Sequence, residues 1–182
     1  MQRFLFLVGL SALVMTGTAA ADSLNIGLSD KLIATTYQMD YRNDVIAQAS
    51  VLHAKADDHR SNVLGIGFLV GDSYNSGTVQ PHIGAKLFAL DGEHADGYGL
   101  ALDGSVDFNV APRVWLRAEL AYAPDVVVGG DFDRYYELEA SAGYQIIPKA
   151  LVYLGYKDVQ AKNSGNDYEV YQGIVVGVKF SF

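Results

Sequence analysis

The chain of 182 residues has no cysteine, one tryptophan and four prolines. Without thiols there are no disulfides and no cysteine-ligated zinc, so stability has to come from another source. Basic residues are also scarce. Thirteen Lys and Arg face 21 Asp and Glu, a formal charge of -8, which excludes the broad basic face needed to neutralise nucleic-acid phosphates. Beyond residue 21 there is neither a long apolar block nor a sustained 3.6-residue period, so helical membrane spans and amphipathic helices are absent from the reading. What the chain does have is apolar residues in short alternating runs, with 19 Gly, 12 Tyr and 8 Phe and a hydrophobic share of 50%. That is enough for one domain with a real interior.

The one apolar block lies at the N-terminus. Arg3, the run from Phe4 to Met15, and Ala19-Ala20-Ala21 before Asp22 form a basic region, an apolar region and a small-residue cleavage site in the order of a secretory signal peptide. The reading is therefore residues 1–21 as a cleaved leader and residues 22–182 as the mature domain. A retained anchor is the weaker alternative, because the run falls short of the roughly 20 residues a helical span needs.

From Asp22 onward the pattern has a period of two. Tyr98, Leu100, Leu102, Val106 and Phe108 share one face, and Gly99, Ala101, Asp103, Ser105 and Asp107 the other. The same division recurs with Leu116, Leu120 and Tyr122 against Trp115, Arg117 and Glu119, and with Tyr136, Leu138 and Tyr144 against Tyr135, Glu137 and Glu139. Turn residues divide the chain into about ten candidate strands, at 22–29, 32–41, 45–55, 62–71, 78–90, 97–109, 113–123, 131–145, 150–158 and 167–182. Tight turns at Arg42-Asn43-Asp44, Val110-Ala111-Pro112 and Ile147-Pro148-Lys149 alternate with longer polar loops at 57–61, 91–96, 123–130 and 159–166.

Alternation alone fits both a soluble periplasmic sandwich with its apolar face inward and a membrane barrel with that face outward. Aromatic placement favours the barrel. Tyr98 and Phe108 lie on one face, ten residues apart, which at a tilt near 40° spans about 26 Å along the membrane normal. Tyr168 and Phe180 repeat the arrangement, so the expected aromatic girdle is Tyr98, Phe108, Tyr122, Phe132, Tyr144, Tyr156, Tyr168 and Phe180. The fold expected is all-β: a single antiparallel transmembrane barrel of about ten strands, with eight the other possibility. Tight turns would face the periplasm and acidic loops the exterior.

The inward face then carries Lys86, Asp103, Asp107, Arg117, Glu119, Glu137, Glu139, Lys157, Glu169 and Lys179, together with Gln80 and His82. These residues are read either as the lining of a hydrated, cation-preferring pathway or as an interior ion-pair network. The network is preferred, because a barrel of eight to ten strands is nearly filled by its own side chains. Glycines alternating with Trp115, Tyr135, Tyr153 and Tyr171 predict large-against-small packing in a narrow lumen.

Gly177-Val178-Lys179-Phe180-Ser181-Phe182 closes the chain on an aromatic, with a second aromatic two residues back and Gly177 five back. This resembles the signal that outer-membrane barrels present to their assembly machinery, with Val175 where a polar residue is usual. Together with the leader and the opening Ala21-Asp22-Ser23-Leu24-Asn25-Ile26-Gly27-Leu28-Ser29, the chain resembles the YfaZ family of small Gram-negative outer-membrane proteins. The resemblance implies a structural or porin-like barrel in the outer membrane, in contact with outer-membrane lipid and lipopolysaccharide and with the assembly machinery, and carries over no catalytic residues.

Other chemistry has weak support. Gly71-Asp72-Ser73-Tyr74 resembles an esterase nucleophile block, but it runs into Asn75-Ser76-Gly77 and reads as a turn. A lipid-modifying or ester-cleaving barrel therefore remains only the alternative. His53, His59, His82 and His94 fall on different segments, without the spacing of a metal site. The acidic loops Asp57-Asp58-His59 and Asp91 to Asp96 lack a calcium-loop pattern. No metal and no cofactor are expected.

Overall fold

The computed structural model describes residues 22–42, 44–56, 59–71, 78–93, 96–163 and 166–182. The expected leader, Asp72-Ser73-Tyr74, and Asp57, Asp58 and His94 of the acidic loops lie outside them. No helix among the described residues is long and apolar enough to cross a membrane. The strands are β1 (Ser23–Leu28), β2 (Leu32–Arg42), β3 (Val45–Ala56), β4 (His59–Gly71), β5 (Val79–Gly92), β6 (Gly97–Ala111), β7 (Val114–Ala123), β8 (Val128–Gly130), β9 (Arg134–Ile147), β10 (Ala150–Asn163) and β11 (Asn166–Ser181). Apart from β8, each pairs antiparallel with the strand that follows it, and β1 pairs with β11 to close a ten-stranded barrel. β8 adds only three pairs to the start of β6.

The alternation read from the sequence is present with its apolar face turned outward. Leu102, Leu120, Leu154 and Ile174 are between 51% and 64% exposed, whereas Asp103 is 0% and Lys86 4% exposed. A soluble sheet protein has the opposite distribution. An apolar belt around a closed barrel is stable only against hydrocarbon, where closure also leaves no strand edge open to lipid. Tyr98, Tyr122, Tyr144, Tyr156 and Phe180 are on this outward surface, and Phe108 borders an outward groove with Leu116 and Leu154.

Two of the expected girdle aromatics and one expected lumen residue are placed otherwise. Val159 pairs with Tyr171 and Gln160 with Glu169, so Val170 is an extra residue on β11. At this β-bulge the consecutive residues Val170 and Tyr171 are both buried, and the facing of every residue before it is reversed. Glu169 is therefore exposed on the outside, not in the lumen. Tyr168 turns inward, where its hydroxyl shares a 2.8 Å hydrogen bond with Ser61 Oγ. Phe132 precedes β9 and is 3% exposed, folded over the barrel mouth instead of facing lipid. The segment before β9 does not extend the strand because Asp131 N–H donates to Asp96 O and Asp133 N–H to Lys162 O, at 2.8 and 2.7 Å. These bonds tie it across the mouth.

Exposure to lipid and exposure to water are separable by substitution. Leu102→Arg should lower the unfolding free energy by about 2–4 kcal/mol if its position is near mid-bilayer, measured by urea titration of the protein folded into vesicles. Val126→Arg, at a loop residue that is 89% exposed, should change it by less than about 0.5 kcal/mol.

Candidate functional site: the barrel interior

The lumen has two fillings, one charged and one apolar. In the charged part Glu137 on β9 lies between two lysines: Lys86 of β5 pairs with its Oε2, and Lys157 of β10 donates to its Oε1 at 2.6 Å. Lys157 also reaches Glu139 Oε2 at 2.9 Å, and the Tyr135 hydroxyl donates to Glu137 Oε2 at 3.2 Å. Neighbouring strands bring a second group together. Arg117 of β7 donates through Nη1 to both oxygens of Asp107, at 3.3 and 3.1 Å, and through Nε and Nη2 to Glu119, at 3.1 and 2.7 Å. Asp103 receives Gln48 Nε2 at 2.5 Å, Lys179 reaches Gln38 Oε1 at 3.5 Å, and His82 Nδ1 stands 3.9 Å from Asp107.

These contacts join residues far apart in sequence because inward positions recur every second residue on each strand. Of the expected lumen set, only Glu169 is missing. The two groups share a small central space of about 40 Å³, bordered by Asn25, Ser50, Trp115 and the charged side chains. A water needs about 10–15 Å³ of such space, so the chamber holds very few waters and no sugar-sized solute. Asp103 Oδ1, Ser105 Oγ, Ser141 Oγ and His82 Nδ1 are buried without a direct partner, the kind of atom a buried water satisfies.

Toward the extracellular mouth the inward side chains become apolar. Leu32, Leu52, Val63, Phe88, Leu90, Tyr135, Val159 and Val170 form one buried cluster, joined by Phe132. Phe88 stacks on Tyr135 with ring centroids 4.1 Å apart and on Phe132 at 6.2 Å. This plug was not foreseen from the alternation. Its sequence sign is the loss of alternation at the outer strand ends, as in Leu87-Phe88-Ala89-Leu90, where both faces are apolar because one meets lipid and the other the plug. On the periplasmic side, large residues occupy room left by glycines. A Cβ at Gly143 would come within 3.0 Å of Trp115 Cε3, and one at Gly177 would overlap the Tyr153 ring.

Among the described residues no group of three or more His, Asp or Glu could hold a metal ion. The Ser73 block is outside them; Ser105 stands opposite His82 in the β5–β6 ladder, but its Oγ has no hydrogen-bond partner, so this serine is not joined to the histidine as a nucleophile is to its base. What the interior can do chemically is bind itself together. Each of Lys86, Arg117 and Lys157 is held by at least one carboxylate, and removing one partner of such a pair costs more than the pair contributes. Glu137→Gln, which leaves Lys86 and Lys157 facing a neutral amide, should cost about 3–5 kcal/mol in the same urea titration. Adding Lys86→Met to that variant should restore part of the loss, since one stranded charge is removed.

The family described as YfaZ precursor matches residues 1–182. Outer membrane protein YfaZ of Escherichia coli (strain K12) is 28% identical over 129 residues, covering 69% of this chain and 70% of that protein. Among solved structures the chain is similar to the KdgM porin (13% identity, TM-score 0.48) and the NanC porin (10% identity, TM-score 0.49), each over 90% of this chain and 99% of the other. The apolar belt, the closed ten-stranded sheet and the full-length match together place the chain in the YfaZ family, as a small β-barrel protein of the outer membrane.

Proposed function

We propose that the protein is a closed, non-enzymatic barrel that serves the envelope through its surface and its stability, and does not pass solutes through its lumen. The observation that carries this reading is the apolar plug around Phe88 and Tyr135. An ion crossing it would lose its hydration with no polar group in return. Below the plug, the charged residues bind one another and leave about 40 Å³, which supports a role as a polar core in place of a pathway lining. Residues 1–21 serve as the export leader in this reading, and Gly177, Phe180 and Phe182 as the assembly signal. Phe180 is outward-facing at the end of β11, 41% exposed, and Phe182 is 64% exposed, so both aromatics are available to a recognising surface.

The wild-type protein in a planar bilayer should show no steady conductance. The paired substitution Phe88→Ala and Tyr135→Ala, which empties the plug, should produce small openings with a slight cation preference, because five inward carboxylates, Asp103, Asp107, Glu119, Glu137 and Glu139, exceed by one the four inward cations Lys86, Arg117, Lys157 and Lys179. A stable open level in the wild type would overturn the closed reading. For the non-enzymatic part, lipid mass spectra from cells carrying Ser73→Ala should match those carrying the wild type. A lipid species lost with Ser73 alone would establish an enzyme.

A further inference from the structure

The outward face of β3 and β4 changes chemistry in an ordered column toward the extracellular side. Val51 and Leu64, directly opposed, are its last apolar pair. The next outward pair is His53 and Asn62, joined by a 2.7 Å bond between Nδ1 and Oδ1. The pair after that is Lys55 and Arg60, opposed in register and both exposed. Lys31 lies beside them, since Lys55 N–H donates to Lys31 O at 2.8 Å.

A directly opposed cation pair is unfavourable in a sheet, and it occurs here in a chain whose acids outnumber its bases 21 to 13. Among the described residues neither Lys55 nor Arg60 has an ion-pair partner. Glu93, whose backbone N–H donates to Arg60 O, has its carboxylate 3.4 Å from His59. The other opposed cation pair of the outer rim, Lys162 with Arg134, is different: Lys162 Nζ stands 6.0 Å from the Tyr136 ring centroid. Successive outward pairs rise by about 5 Å along the membrane normal at a tilt near 40°. The sequence of apolar, hydrogen-bonding and cationic pairs therefore follows the order of acyl chain, linkage and phosphate in a lipid.

We propose that this column is a docking surface for a phosphorylated lipid of the outer leaflet, with Lys55 and Arg60 on the phosphate, His53 and Asn62 beside the linkage, and Val51 and Leu64 against the acyl chain. The inference rests on the lipid-facing assignment of the barrel wall and not on whether the lumen conducts. Arg60 suits the phosphate as a planar fork and Lys55 as a compact charge.

Full-length mature protein, folded in a zwitterionic detergent, should be titrated with diphosphorylated lipid A and followed by native mass spectrometry. The variant K55Q/R60Q should bind at least about tenfold more weakly, on the basis of the contribution of two cations near a charged lipid surface. The variant R134Q/K162Q should bind as the wild type does. Dephosphorylated lipid A should bind the wild type as weakly as the intact lipid binds K55Q/R60Q. Equal binding by K55Q/R60Q and wild type would overturn the proposal, as would equal loss in R134Q/K162Q, equal binding of dephosphorylated lipid, or full displacement of the lipid by millimolar inorganic phosphate, which would reduce the site to a free-ion contact. The heat-dependent gel mobility of each variant checks that it is folded. If the barrel itself were wrong, folded mobility would be lost in the wild type too, an outcome separate from selective loss of lipid.

Discussion

Hydrocarbon offers no hydrogen bonds, so a chain that crosses it as strands has to satisfy every backbone group within its own sheet. Here that requirement is met at one seam, where β1 pairs with β11 through six residues, from Ser23 opposite Ser181 to Leu28 opposite Val176. The other neighbouring strands of the barrel share longer pairings, except where the short β1 meets β2. Beyond Val176 β1 no longer reaches β11, and there the Tyr171 hydroxyl donates to the Ile174 carbonyl at 3.0 Å. A side chain thus adds a bond to the backbone in the stretch that β1 does not reach. The bulge at Val170 follows directly in this stretch. It increases local twist, and it brings Tyr168 inward to bond with Ser61 of β4.

Closure fixes the outside as apolar and leaves the inside to be filled. In a narrow barrel the filling has to be dense, and the ten strands supply it in two ways. Around Glu137 and Arg117 the inward side chains are charged and neutralise one another. Nearer the extracellular mouth they are apolar, and Phe132 covers them from the segment that crosses the opening. Tyr135 joins the two fillings: its ring stacks on Phe88 and its hydroxyl donates to Glu137. The aromatic ring excludes water from one side of the ion pairs, which strengthens their attraction and raises the cost of breaking them.

The strands and their facing were legible because the period of two is a local property of the chain. Leu102, Leu120 and Ile174 are outside, and Asp103, Glu119 and Glu137 inside, as alternation requires once the aromatic spacing has selected a barrel. The charged group could be named from the same parity, although its pairings could not, since Lys86 and Glu137 meet only through the register of strands far apart in sequence. Where reading by parity failed, a nonlocal cause intervened. Glu169 and Tyr168 changed sides because one extra residue on β11 shifted the register. Phe132 is inside because its neighbours bond across the mouth to Asp96 and Lys162. The plug was missed because apolar residues on both faces carry no alternation to read, as at Leu87-Phe88-Ala89-Leu90.

Where the few bases lie explains how an acidic protein coexists with a membrane. Lys86, Arg117, Lys157 and Lys179 border the interior chamber among its acids. Arg113 and Lys149 stand in the tight turns at the periplasmic end, while Lys31, Lys55, Arg60, Arg134 and Lys162 are near the opposite rim. None is on the apolar belt between the two rims, where an unpaired cation costs most. The acids follow a different rule. Inside they answer the interior cations, and outside many lie in the loops, as at Glu93, Asp96, Asp125 and Asp131, while Asp91, Asp158 and Glu169 are on the outward face of β5, β10 and β11. The net charge of -8 is therefore carried largely by the water-exposed loops. Rim cations stand at the strand ends between those loops and the apolar belt, and the outward acid within β10, Asp158, is screened from hydrocarbon by the Tyr136 hydroxyl and the Gln160 and Gln172 amides that donate to it.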